Sequence, residues 1–212
     1  MPVKDSGKTL LFAGILAVVC SVLLAAVNLY TAPFKEANEK AEEIRNILSV
    51  LQVPFEPKSD ARTLVEVFKK YVREKKIGDR TIYENISNTS TSDKPSTVAV
   101  LFSGPGLWGP IRGVISFEPD FTTIRGISFY QQEETPGLGG EIGSEGFQKQ
   151  FDGKQIVSDE GKPGFRVIKP GGTSSKNSVD GITGASMTSG RVQTILDSLA
   201  KELWQKRSEY GQ

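Results

Sequence analysis

TLLFAGILAVVCSVLLAAVNLY, residues 9–30, carries no charged side chain, and no other feature restricts the chain so strongly. At 1.5 Å per helical residue, a run of about twenty residues spans a bilayer core of roughly 30 Å. Lys8 and Lys35 are the nearest basic residues on either side. The competing reading is a cleaved signal peptide. The apolar core of such a peptide is typically about 7–15 residues long, and no A-x-A-like cleavage site follows here. The run therefore reads as a transmembrane helix behind a short tail, residues 1–8. Lys4 and Lys8 precede it, and Lys35, Lys40 and Arg45 follow, so basic residues alone do not orient it.

Beyond the span, Phe34, Ala37, Ala41, Ile44, Leu48 and Leu51 recur at steps of three and four, the spacing of one helical face. The stripe is short for a coiled coil, so it is expected to pack on its own domain. After the break VPFEPKSD, the stretch ARTLVEVFKKYVREKKI places Leu64, Val65, Phe68, Tyr71 and Val72 on one face of a predicted helix. Residues 31–80 thus read as a helical stalk and a linking helix, and 81–212 as a domain. Within that domain ENISNTSTSDKPS (84–96) reads as a polar loop, and its two glycosylation sequons, at Asn85 and Asn88, as chance matches in a Ser/Thr-rich stretch. TVAVLF (97–102), IRGVISFE (111–118) and TIRGISFYQ (123–131) are rich in β-branched and aromatic residues and separated by short turns, which predicts an antiparallel meander. FRVIK (165–169) is a further candidate strand. Val192, Ile195, Leu196, Leu199 and Leu203 predict a closing amphipathic helix. The fold class expected is α+β: a transmembrane helix, then a twisted, mainly antiparallel sheet with packed helices.

Composition removes many chemistries. The net charge of +1 gives no basic field for nucleic acid. There is no histidine, and Cys20 is the only cysteine and lies in the apolar run. Ser-His and Cys-His catalysis, most zinc sites and an intrachain disulfide are excluded. Redox or transfer chemistry would have to come from a cofactor.

Three glycine-rich stretches are candidates for holding one. GPGLWG (104–109) satisfies G-x-G-x-x-G, but Pro105 interrupts it and a strand, not a helix, follows, so it is not a dinucleotide fingerprint. It reads as a turn presenting Leu107 and Trp108. Trp108 either packs into the core, the commoner fate of a large aromatic, or lines a planar ligand. ETPGLGGEIG (134–143) holds four glycines, which let backbone approach a ligand and offer N–H donors. DGITGASMTSG (180–190) gathers Thr183, Ser186 and Thr188 around Gly184 and Ala185 at a predicted helix start. Free N–H groups there favour phosphate. The plainer alternative is a hydroxyl N-cap.

Two of these stretches together resemble a known family. Asp180-Gly-Ile-Thr183-Gly184-Ala185-Ser186-Met-Thr188 is similar to the flavinylation motif D-x-x-(S/T)-G-A-(S/T)-x-(S/T). Glu134-Thr-Pro-Gly-Leu-Gly-Gly-Glu141-Ile resembles the second signature of the same FMN-binding domain family. GLWGPIRGVISFEPD (106–120) is similar to one branch of it: the C subunit of the sodium-translocating NADH–quinone reductase, related to the G subunit of the Rnf complex. The resemblance implies FMN joined through its phosphate to the residue after Gly-Ala, here Ser186, by a dedicated flavin transferase. The family usually has threonine there, and serine can form the same phosphoester; Thr188 is the second candidate. For the ring, Glu134, Thr135, Leu138, Gly139 and Gly140 are expected to form one wall, Leu107 and Trp108 are candidates for the other, and Lys169 is a candidate to neutralise phosphate or ring charge. The implied protein is a single-pass subunit of the bacterial inner membrane, surrounded by lipid. Its domain would be extracytoplasmic, and it would relay electrons in one-electron steps among other membrane subunits without binding NADH or turning over alone. A stand-alone flavoprotein and a non-redox binding module are the alternatives.

Overall fold

The computed structural model describes residues 6–87 and 95–210. The tail before Ser6 and the sequon at Asn88 lie outside them. The first helix, α1, runs over Ser6–Val50, and two compact units divide between Ala41 and Glu42. In the first, apolar side chains project outward all along the helix: Leu10, Leu16, Leu24, Leu29 and Phe34 are all exposed. So much exposed apolar surface is untenable in water and suits hydrocarbon. The helix is long and apolar enough to cross a membrane, which fits a membrane anchor.

The second unit is built on a five-stranded antiparallel meander of β1 (Val72–Ile77), β2 (Arg80–Asn85), β3 (Val98–Pro105), β4 (Pro110–Phe117) and β5 (Ile124–Gln131). Cross-strand neighbours Val98 and Phe117, Val100 and Ile115, and Ile115 and Ile127 share one face. That face packs on α4 (Ser186–Tyr210), whose Val192, Leu196, Leu199 and Leu203 are buried as the helical spacing predicts. Gly113 lies on the same face between Phe102 and Phe129, whose rings meet edge to face at 5.4 Å. A side chain at Gly113 would strike the Phe102 ring. Arg80 joins the sheet to α4: its guanidinium donates to both carboxylate oxygens of Glu202 (2.9 and 2.5 Å) and to the Leu101 carbonyl (2.9 Å), the strong fork geometry of arginine.

The opposite face is covered by the last turns of α1. Ser116 donates to the Val50 carbonyl (2.6 Å), Ser128 to Asn46 (2.6 Å) and Asn85 to the Leu51 carbonyl (2.8 Å). Leu48 and Leu51 are fully buried there. The C-terminal part of the apolar stripe thus packs on its own domain, as expected.

The helix predicted over 61–77 is shorter than its pattern suggested. The helix α2 covers Ala61–Tyr71, with Asp60 accepting from the Thr63 N–H as N-cap. Val72 already has extended backbone, and VREKKI pairs with RTIYEN as a hairpin. Gly78, at φ 59°, supplies the left-handed turn that a two-residue connection needs. Glu84 and Asn85, expected in a loop, close β2.

Past β5 come a short 3₁₀ turn (Gly139–Gly143), α3 (Glu145–Lys149), and the parallel pair β6 (Arg166–Ile168) and β7 (Ser178–Asp180). β7 leads directly to the start of α4.

Candidate functional site

The start of α4 is shaped by a tight turn. The Ala185 N–H bonds the Ile182 carbonyl (3.1 Å), and Gly184, third in that turn, has φ 79°, the value a type II turn requires there. Ser189, one turn into the helix, accepts the Ile182 N–H (3.0 Å) and pins the turn to α4. Ser186 is the first helical residue, so Ala185 occupies the N-cap position. Among the described residues no side chain accepts from the N–H groups of Ser186, Met187 or Thr188. The plainer reading, a hydroxyl cap, is therefore not realised. The helix instead offers free donors beside an exposed Ser186 hydroxyl, an arrangement suited to phosphate.

Two other segments converge on this point. The β3–β4 hairpin tip brings Leu107 and Trp108, and the glycine-rich loop brings Glu134, Thr135, Leu138 and Gly139. With Gly184, Ala185, Ser186, Met187 and Thr188 they line one cleft of about 270 Å³. Trp108 is 69 % exposed, so the core reading of this residue is overturned. A hairpin tip projects it away from the sheet. Among the described residues of the folded unit, the exposed large apolar side chains are Leu107, Trp108, Leu138 and Met187, all on this cleft.

Glu134 locks the three segments together. The residue is 4 % exposed. Oε1 accepts from the N–H groups of Leu107 (2.7 Å) and Trp108 (3.3 Å), and Oε2 accepts from the Thr188 hydroxyl (2.5 Å). Burial pushes the Glu134 carboxyl upward, but the hydrogen bonds from Thr188, Leu107 and Trp108 together outweigh it and hold it below the usual range. A side chain at Gly139 would collide with both Thr188 Oγ1 and Glu134, so this position is closed to anything larger than glycine. Thr188, only 3 % exposed, is committed to Glu134.

The remaining anticipated residues lie outside the lining. Thr183 is exposed in the turn. Gly140 shapes the loop through its N–H to the Thr135 carbonyl (2.9 Å). Asp180 sits at the end of β7, where its backbone N–H donates to Gln150 (2.8 Å). Lys169 is exposed beyond β6. Met187 and Ser189 were not anticipated. Met187 could have been found as the one apolar residue between two hydroxyls at the helix start. The role of Ser189 depends on a fold-back invisible in the linear pattern. No metal-ligand cluster occurs among the described residues.

A larger cavity, about 510 Å³, lies elsewhere, between Glu43, Tyr83, Arg112 and Tyr130. None of the cleft residues from the hairpin tip, the glycine-rich loop or the start of α4 lines it. Both phenols there are held neutral: burial first, then nearby carboxylates, pushes Tyr83 up to about 12, and Tyr130 moves the same way.

Residues 106–201 match the FMN-binding domain family. The chain is 29 % identical to the C subunit of the Na(+)-translocating NADH-quinone reductase of Vibrio anguillarum, over 92 % of this chain and 90 % of that protein. It is 46 % identical to the corresponding protein of Neisseria meningitidis over 42 % of this chain and 35 % of that one. Among solved structures, the fold is shared with NqrC of Shewanella oneidensis, with TM-score 0.66, 23 % identity, and coverage of 83 % of this chain and 98 % of that one. The C subunit from Parabacteroides distasonis also has TM-score 0.66, with 27 % identity and coverage of 82 and 94 %. The matched span contains all three cleft-forming segments. Over residues 106–201 the chain is therefore similar to the FMN-binding domain family.

Proposed function

We propose that the chain is the membrane-anchored, FMN-carrying C subunit of a sodium-translocating NADH–quinone reductase, with the flavin joined through its phosphate to Ser186. The observation that carries this reading is the cleft itself. It sets an exposed hydroxyl, unclaimed helix N–H donors and apolar walls within one site. Bound there, FMN would supply electron acceptance and donation.

The chain's own residues have the complementary tasks. The N–H groups at the start of α4 hold the phosphate diester, which keeps about one negative charge. Leu107, Trp108, Leu138 and Met187, which line the cleft, would cover the ring and exclude water. Glu134 keeps the hairpin tip and the helix start at fixed separation. With the domain on the extracytoplasmic side, attachment through Ser186 would prevent loss of the cofactor there. A flavin transferase is the maturation partner. The relatives named above are of the sodium-translocating type, which favours that branch over the Rnf type.

Two measurements test this. Co-expressed with a flavin transferase and the other subunits, the chain is expected to co-purify with membrane partners and to carry flavin; a loaded chain without partners would point to a stand-alone carrier. Leu138→Glu places a charge against the ring. It is expected to alter the flavin spectrum or lower the loaded fraction severalfold, and an unchanged spectrum at full loading would remove Leu138 from the wall.

A further inference from the structure

We propose that the Glu134 carboxylate sets the reduction potential of the flavin cleft, holding it lower than the cleft would otherwise give, in addition to joining the cleft's segments. This rests on the flavin reading above.

The geometry separates Glu134 from the other acidic residues of the surface. It is buried and lines the cleft. Its three hydrogen-bond donors are two backbone N–H groups and one hydroxyl. These are dipoles, and no lysine or arginine among the described residues pairs with it. A carboxylate held by dipoles alone keeps its full net charge. Away from water that charge acts with less screening than an exposed one.

A flavin that takes up two electrons and one proton gains one negative charge. A fixed negative charge in the cleft lining would oppose that gain in a flavin held there, so the oxidised form would be favoured and the potential would fall. Glu133 is the natural control. It is one residue away and carries the same charge, but it is exposed and outside the cleft lining, so water and salt screen it.

Structural and electrostatic roles are separable at this position. In Glu134→Gln the amide oxygen can still accept from the Leu107 and Trp108 N–H groups. The amide NH₂ can donate to Thr188, whose hydroxyl both donates and accepts. The connections persist and the charge is removed.

The test uses the full chain in detergent, loaded with FMN by co-expressed transferase. Intact mass gives the loaded fraction, and flavin absorbance follows a redox titration. The expected result is a loaded Glu134→Gln with a more positive midpoint potential than wild type, and a Glu133→Gln that titrates as wild type does. A loaded Glu134→Gln with an unchanged or more negative potential overturns the proposal. If Glu134→Gln is not loaded, Thr188→Val decides. It keeps the charge and removes its hydroxyl donor, so the potential is expected to become more negative; no shift, or a positive one, overturns the proposal. A wild-type chain that stays unloaded overturns the flavin reading itself, and this inference with it.

Discussion

Phe151→Ala is expected to destabilise the folded unit by about 3–5 kcal/mol, the cost typical of removing a buried aromatic and leaving a cavity. Phe151 has no exposed surface. Its ring stacks on Phe165 (5.3 Å, 15°) and meets Phe147 (5.5 Å) and Phe129 (6.3 Å) edge to face. These partners come from a connecting loop, α3 and β5. One truncation therefore loosens the contact between the sheet and the segment leading from the glycine-rich loop to β6. Chemical denaturation of the full chain in detergent, followed by near-ultraviolet circular dichroism, reads this as a lower midpoint with an unchanged slope. Trp108→Ala, at an exposed hairpin tip, is expected to move the midpoint little. A Phe151→Ala chain that unfolds like wild type would show that the aromatic cluster does not hold the fold.

The contrast between Phe151 and Trp108 marks what could be read in the sequence. β3, β4 and β5 were legible because they are rich in β-branched and aromatic residues and separated by short turns, and α4 because its apolar residues recur every three to four and are buried. Trp108 carries no such information: a tryptophan in a glycine-rich turn can go inward or outward, and the hairpin geometry decides. β1 and β2 were hidden for a different reason. VREKKI continues a helical pattern of charge and apolarity without a break, and only Gly78 marks the reversal that turns it into a hairpin. β7 is a three-residue strand, too short to show any period.

The same division holds in the candidate site. Glycines and hydroxyls at Gly139, Gly184 and Ser186 stand out in the linear pattern. The function of Glu134 does not. Its partners lie 27, 26 and 54 residues away, and only folding makes them neighbours. Thr188 illustrates the consequence. In the sequence it matches the motif as well as Ser186 does, but its burial against Glu134 sets the two hydroxyls apart.

That difference leads to the largest expected effect on function, the complete loss of covalent flavin in Ser186→Ala. Ser186 is exposed at the first helical position, beside unclaimed N–H donors. Thr188 points into the protein and donates its proton to a carboxylate. Reaching it would require breaking that bond and opening the cleft wall. Thr183 is exposed but precedes the helix, away from the donors that would hold a phosphate. Ser186→Thr keeps a hydroxyl at the same position and is expected to remain a substrate.

The most direct measurement is the intact mass of the chain with and without co-expressed flavin transferase. Wild type, Ser186→Thr and Thr188→Val are predicted to gain one FMN phosphoryl unit only when the transferase is present, and Ser186→Ala to gain none. An unmodified wild-type chain, a modified Ser186→Ala, or loss of the unit in Thr188→Val alone would contradict the assignment of Ser186 as the residue that carries the flavin.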